Sequence, residues 1–130
     1  MATKEPTYFG DFMEEVYGFA QAVKADNIIY VSGQTAFTEQ GELDGVGDMA
    51  AQMRRAYANI KRVLEKFGAT MDDVVDETLF VTDIMAAATV AHEVRKEVYG
   101  GRFEVASSLC QIAQLGMPDM LIEIKCTAHV

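Results

Sequence analysis

Few side chains in this sequence could carry out chemistry, and Glu123 is the most informative of them. From Leu121 to His129 apolar residues alternate with others, which predicts a strand whose Ile122 face lies against a core. Glu123 lies on the opposite face of that strand. A carboxylate there is either solvated or held in a cleft, and the alternation alone favours the solvated position.

The other chemically active residues give weaker signals. The two histidines are His92, among charged residues of a predicted helix, and His129, next to the last residue. The sequence has neither a Cys-x-x-Cys nor a His-x-x-x-His pair, so it predicts no metal site. Ser32 has no base at a fixed offset that would make it a nucleophile. Cys110 and Cys126 lie in apolar strand contexts, which predicts buried, reduced thiols.

The elements that position these residues are predicted to form one α+β domain spanning 1–130, with an N-terminal arm at 1–17. The clearest element is a helix at 48–67, where apolar residues recur at three and four, with Asp48 as N-cap and Gly68 as C-cap. The predicted order is strand, strand, helix, strand, helix, strand, strand. One mixed sheet with both helices on one face satisfies this order. The open face then predicts self-association.

Two hairpins are predicted at the ends of this order. Residues 20–24 and 28–34 form the first, with Asn27 in a left-handed turn. Residues 105–115 and 121–129 form the second, joined by a loop rich in turn-forming residues. Between the hairpins the sequence predicts the helix already described, a strand at 74–82 and a second helix at 86–99.

Charge and hydropathy disfavour some classes of binding partner. The net charge of -9 disfavours a nucleic-acid groove. The longest apolar runs are far shorter than a membrane span, and residues 1–10 contain no apolar signal core. A cytoplasmic protein that binds neither a membrane nor nucleic acid is therefore expected.

Six short motifs between about Gly18 and Val130 occur in the order and at the spacing of a known family. They are residues 21–27 with 31–34, Ala51-Gln52-Met53-Arg54 with Asn59-Ile60, Gly68, Val74-Val75, Phe80-Val81-Thr82-Asp83 and Ile122-Glu123-Ile124. On these motifs the chain resembles the reactive-intermediate deaminase family, RidA, also called YjgF. The resemblance implies a chorismate-mutase-like fold, a homotrimer, and clefts between subunits that hydrolyse imines or enamines to a keto acid and ammonia. It implies no metal or organic cofactor.

The resemblance also implies roles for individual residues. Glu123 matches a glutamate that positions the attacking water, and Ser32 matches a serine of the first hairpin. The position of an aromatic hydroxyl that closes the cleft falls on Phe19, although Tyr17 lies two residues earlier. Cys110 is placed with Phe19 and Ser32 among the substrate-binding residues.

One expected residue is missing, the arginine that grips the substrate carboxylate. Its position falls on Ser107, or on Ser108 if a one-residue insertion is placed before the loop, and serine cannot replace a bidentate guanidinium. Candidate replacements are Arg102, Gln111 and Gln114. The resemblance thus implies a deaminase whose substrate is unassigned, 2-aminomuconate-type deamination being one possibility. The alternative is a non-catalytic trimer that binds a small metabolite in the same clefts.

Overall fold

The structure is a computed structural model that describes residues 3–130. Within that range the strands are β1 (Lys4–Thr7), β2 (Ala22–Ala25), β3 (Ile28–Gln34), β4 (Val74–Val81), β5 (Ala106–Gln111) and β6 (Ile122–His129). The helices of the same range are α1 (Phe12–Tyr17), α2 (Met49–Glu65) and α3 (Ile84–Tyr99), with a short 3-10 turn at Met71–Asp73. The strands form a single sheet in the order β1-β2-β3-β6-β4-β5.

Both long helices pack on one face of this sheet, α2 against β3 and β6 and α3 against β5. Ile122, Ile124, Cys126 and Ala128 of β6 are buried, as their alternation predicts. From α2, Met53, Ile60 and Leu64 fill the same core without any exposed surface. The predicted α+β arrangement of a mixed sheet with two helices on one face is confirmed.

The ends of α2 follow from its flanking residues. The Asp48 side chain accepts a hydrogen bond from Ala51 N at 3.1 Å, so the predicted N-cap is confirmed. The helix ends earlier than predicted, with Lys66 as its C-cap. Gly68 adopts a left-handed conformation, φ 71°, two residues further on, where the chain turns away from the helix axis.

The predicted second hairpin is wrong. β5 pairs in parallel with β4, whereas β6 pairs antiparallel with both β4 and β3. β4, α3 and β5 therefore form a parallel crossover unit, in which the helix returns the chain to the end of the sheet where β4 begins. The turn-forming residues after β5 belong to a long connection at 112–121, which leads to a central strand rather than to a tight turn.

The first hairpin is confirmed, since β2 and β3 pair antiparallel. The left-handed residue in its turn is Asp26, with φ 54°, rather than Asn27. Residues expected to form a loose arm extend the sheet, because Lys4–Thr7 pairs with β2. The first two residues of that expected arm lie outside the described residues. None of the helices within 3–130 has the length and apolar character needed to cross a membrane.

The core assignment predicts large losses of stability at two positions. Ile60 and Ile124 have no exposed surface, so Ile60→Ala and Ile124→Ala should each cost about 2–5 kcal/mol of unfolding free energy, through lost burial and the cavity left behind. The control is Lys61→Ala, at an exposed position of the same helix, which should stay within about 0.5 kcal/mol. Denaturant melts measure all three, and equal midpoints for Ile60→Ala and Lys61→Ala would show that the helix phase is wrong.

Candidate active site

A cleft of about 540 Å³ lies where the N-terminal segment, the end of β3 and α2 meet, and Glu123 lines it. Its volume falls within the range of about 300–1,000 Å³ that is typical of small-molecule sites. The connection before β6 contributes Gly116, Met117 and Met120 to its wall. The structure thus places Glu123 in a cleft rather than on a fully solvated face.

The space for the Glu123 carboxylate is made by an irregularity in the neighbouring strand. The pairing of β3 with β6 shifts register between Val31 and Gln34, which indicates a bulge at Ser32 and Gly33. A Cβ atom added to Gly33 would collide with the carboxyl group of Glu123. Any other residue at position 33 would therefore require the Glu123 carboxylate to shift from this position.

Burial changes the acidity of this carboxylate. Glu123 is half-buried, and desolvation raises the pKa of its carboxyl group above the ordinary value of 4.5, while the nearby charge of Lys125 opposes the shift. A raised pKa makes the ionised carboxylate a stronger base than an exposed glutamate. Such a group is suited to accepting a proton from water close to neutral pH.

Aromatic rings form much of the rest of the cleft. Those that line it are Phe9, Phe12, Tyr17, Phe19 and Phe37. Both aromatic candidates from the sequence, Tyr17 and Phe19, therefore reach the same cleft, and the Tyr17 side chain is largely exposed. Of these two residues Tyr17 is the one with a phenol hydroxyl, so it is the one that can present an aromatic hydroxyl at this cleft.

A buried carboxylate holds this N-terminal wall in place. Glu14 accepts hydrogen bonds from Phe9 N at 2.6 Å, from Gly10 N at 2.9 Å and from Gln21 Nε2 at 2.8 Å. Burial opposes the charge on Glu14, but these bonds outweigh it and lower the pKa of the carboxyl group. Gln21 Oε1 in turn accepts a bond from Gln34 Nε2 at 2.9 Å. This chain of polar contacts ties α1 to β3.

Ser32 has a local structural contact. Its hydroxyl donates to the carbonyl oxygen of Ala20 at 2.6 Å. The bond fixes the chain just before β2 to the bulge that borders Glu123. The oxygen keeps acceptor capacity for a ligand, but its proton is engaged.

The two serines considered for the missing arginine lie on opposite faces of β5. The hydroxyl of Ser107 donates to Glu77 Oε2 at 2.6 Å, so Ser107 points to the helix face of the sheet. Successive strand residues alternate, so Ser108 and Cys110 share the face of Glu123. Cys110 pairs with Phe80 of β4, whose partner on the other side is Glu123. Ser107 is therefore separated from Glu123 by the sheet.

The structure also places two other candidates, Arg102 and Gln111, and both cysteines. Arg102 forms an exposed ion pair with Glu104 at 3.5 Å and lines a separate small cavity beside Met71, away from Glu123. Gln111 Oε1 accepts from Ile84 N at 2.9 Å and so engages the start of α3. Cys110 is exposed rather than buried as expected, because β5 is an edge strand. Cys126 is buried, and burial raises the pKa of its thiol to about 12.

Sequence reasoning missed Glu77, the most buried carboxylate of the described residues, at 1% exposure. It accepts hydrogen bonds from Tyr57 Oη at 2.9 Å, Tyr99 Oη at 2.6 Å, Arg95 Nε at 2.9 Å and Ser107 Oγ at 2.6 Å. Burial and the charge of Glu77 raise the pKa of both tyrosines. These five residues, the Glu77 cluster, come from α2, α3, β4 and β5 and join these elements on the helix side of the sheet. The sequence did contain one signal, since Glu77 falls on the same face of β4 as the buried residues of that strand.

Within residues 3–130, no three His, Cys, Asp or Glu side chains come close enough together to hold a metal ion. The cleft offers the carboxylates of Asp11, Glu39 and Glu123, amide and aromatic groups, and the guanidinium of Arg62. Such a set can bind a small, partly apolar molecule and present an oriented water to it.

Comparison with known proteins decides the family. A family model described as Endoribonuclease L-PSP matches residues 12–130. The 3-aminoacrylate deaminase RutC from Acinetobacter baylyi is 35% identical over 114 residues, which is 86% of each chain. This chain belongs to the RidA (YjgF) family.

Solved structures of RidA-family proteins agree with this assignment. A Mycobacterium tuberculosis member of the YjgF/YER057c/UK114 family superposes with a TM-score of 0.85 at 30% identity, over 98% of this chain and all of the other. YyfA from Yersinia pestis, a Rid-family protein of unknown function, also gives 0.85, at 26% identity and with the same coverage. The RidA-like fold predicted from the motifs is thereby confirmed.

Proposed function

We propose that this RidA-family protein hydrolyses the C–N bond of an imine or enamine and releases ammonia, with Glu123 positioning the attacking water. The observation that carries the proposal is the half-buried Glu123 carboxylate, held against Gly33 in the cleft with a raised pKa. The 35% identity to a relative named as a 3-aminoacrylate deaminase supports the same reaction class.

The proposed reaction begins with an imine carbon placed next to a water that is hydrogen-bonded to Glu123. The water oxygen forms a bond to that carbon while Glu123 takes one proton from the water and the imine nitrogen gains one from solvent, giving a carbinolamine. On collapse of the carbinolamine the protonated Glu123 gives its proton to the nitrogen, the C–N bond breaks, ammonia leaves, and the hydroxyl loses its proton to solvent as it becomes a carbonyl. Glu123 first accepts and later returns a proton, so it is regenerated at the end.

The direct test is ammonia release from 3-aminoacrylate or 2-aminoacrylate generated in situ, with wild type set beside Glu123→Gln. Turnover above the spontaneous rate that disappears in the variant supports a deaminase. Tight binding of a metabolite without any turnover would instead favour the second candidate, a non-catalytic binding protein. The specific observation in favour of that candidate is serine in place of the carboxylate-binding arginine.

The protein is proposed to act in the cytoplasm as a homotrimer whose clefts lie at subunit boundaries. On the sheet face opposite α2 and α3, Tyr30 is 48% exposed, and Ser108 and Cys110 are also accessible. A face of this kind is expected to be covered by a second copy of the chain. Sedimentation equilibrium at micromolar concentration should give three times the monomer mass of 14.3 kDa, and a stable monomer would contradict the proposed assembly.

The opposite directions of Ser107 and Ser108 predict different effects for two arginine substitutions. Ser108→Arg should place a guanidinium on the exposed face of β5 that Glu123 shares and leave the free energy of unfolding within about 0.5 kcal/mol of wild type. Ser107→Arg should bring a second guanidinium against Arg95 and destabilise the fold without raising turnover. Steady-state rates and melting temperatures measure both variants, and higher turnover from Ser107→Arg alone would contradict this assignment of faces.

A further inference from the structure

The cleft contains one cationic side chain among its lining residues within 3–130, Arg62 of α2. Its guanidinium carbon lies 4.2 Å from the centroid of the Phe9 ring, close enough for a cation–π contact. Its NH1 group donates to Asn59 Oδ1 at 3.3 Å. The guanidinium is thus held at the cleft from two sides by neighbours that carry no charge of their own.

Those two neighbours are themselves fixed. Asn59 is buried, and its Nδ2 group donates to the carbonyl oxygens of Thr35 and Phe37, both at 2.8 Å. The backbone at Phe9 is held by the Glu14 carboxylate. A guanidinium supported in this way loses little side-chain freedom when it binds an anion, which favours tight binding.

The anion that Arg62 now contacts is weakly held. Glu39 Oε1 lies 3.3 Å from Arg62 Nε, but the Glu39 side chain is 62% exposed and belongs to the loop after β3. Ion pairs with so exposed a partner contribute little free energy. The Glu39 carboxylate therefore occupies the place that the carboxylate of a ligand could take at small cost.

We propose that Arg62 is the carboxylate-binding residue of this cleft, supplied by α2 in place of the arginine that β5 lacks. The ligands that fit are carboxylic acids with an apolar or conjugated body, which lies against the aromatic walls while the acid group pairs with Arg62. For the reacting part of the molecule this rests on the proposed function, which places the C–N carbon at Glu123. Binding of the acid itself does not depend on turnover.

The test compares two probes of equal size, 3-phenylpropanoate and its uncharged amide, by isothermal titration calorimetry on the full chain in its solution assembly. Wild type should bind the acid about tenfold to a hundredfold more tightly than the amide, as expected for a charge-assisted contact. Arg62→Met should remove this preference while binding of the amide stays within about threefold. Arg62→Lys should keep part of the preference, since it keeps the charge but not the fork of donors.

Two further variants test whether the preference for the acid is specific to Arg62. Arg55→Met is the matched control, because Arg55 lies on the same helix, pairs with Asp44 at 3.2 Å and is 31% exposed against 32% for Arg62, yet does not line the cleft. It should leave the preference unchanged. Glu39→Gln should strengthen acid binding several-fold, since it removes the competing carboxylate.

The outcomes separate this proposal from the proposed function. Equal affinity for acid and amide in wild type, no binding of either probe, or a preference that survives Arg62→Met overturns the role of Arg62, whatever the turnover data show. An acid preference that depends on Arg62, together with ammonia release that does not depend on Glu123, would support this inference and contradict the proposed mechanism.

Discussion

Glu123→Gln should reduce ammonia release by about 10²- to 10⁴-fold, the contribution typical of a positioned general base. Glutamine matches glutamate in size, so the packing against Gly33 is kept while the ability to accept a proton is lost. The remaining rate should approach that of the spontaneous reaction. Rates from coupled ammonia assays, with Glu65→Gln on the exposed face of α2 as control, measure the effect.

The same substitution should stabilise the protein at neutral pH. Because the pKa of Glu123 is raised in the folded state, the folded protein binds a proton at this carboxyl more tightly than the unfolded chain does. The free energy of unfolding therefore decreases as the pH rises from 4.5 through the raised pKa. Glu123→Gln removes that penalty above the window and changes little below it. A melting temperature lowered at pH 7, together with retained activity, would show that Glu123 is a structural residue.

The second large effect is expected at Glu77. Glu77→Leu should cost about 3–5 kcal/mol of unfolding free energy, because it leaves the guanidinium of Arg95 and the hydroxyls of Tyr57 and Tyr99 without their buried partner. A loss of that size approaches the whole stability of many domains, about 5–15 kcal/mol.

Denaturant melts test the Glu77 cluster, with Glu93→Leu at an exposed position of α3 as control, expected within about 0.5 kcal/mol. A cost below about 1 kcal/mol for Glu77→Leu would mean that Arg95 reaches water and that the tyrosines find other acceptors. In that case the cluster does not fix β5, and the outward direction of Ser108 would need another cause.

Alternation was enough to predict β6 and its faces. Ile122, Ile124 and Cys126 are buried because a period of two places them on one side, and the same period puts Glu123 on the other. The N-cap of α2 was likewise readable at Asp48, since an acidic N-cap acts through contacts a few residues away. Strand faces and helix caps depend on residues that are close together in the chain, so they can be predicted from one sequence.

Features that depend on distant partners were not readable. The turn-forming residues after β5 predict a hairpin, but a sheet edge next to β4 was the better partner for β5, and pairing between strands is decided by the whole sheet. The role of Glu77 depends on donors 18 to 30 residues away. That Ser107 points away from Glu123 follows only from those contacts, so the sequence left Ser107 and Ser108 as alternatives.

Arg62 illustrates the same limit within the cleft. In the sequence it is one of several basic residues on the charged side of a helix, a pattern typical of a solvated face. Its position at the cleft depends on Phe9, more than fifty residues earlier, and on the loop that carries Glu39. Nothing in the spacing along α2 separates Arg62 from Arg55.

The central claim, that Glu123 is the base that activates water, is tested most directly by the pH dependence of kcat/KM for ammonia release between pH 5 and 9, corrected for the spontaneous reaction. The account predicts an acid limb, along which activity falls as pH decreases, with a midpoint above the ordinary glutamate pKa of 4.5 because burial raises the pKa of this carboxyl. That limb should be absent from the residual activity of Glu123→Gln. The same acid limb in wild type and in Glu123→Gln would contradict the account.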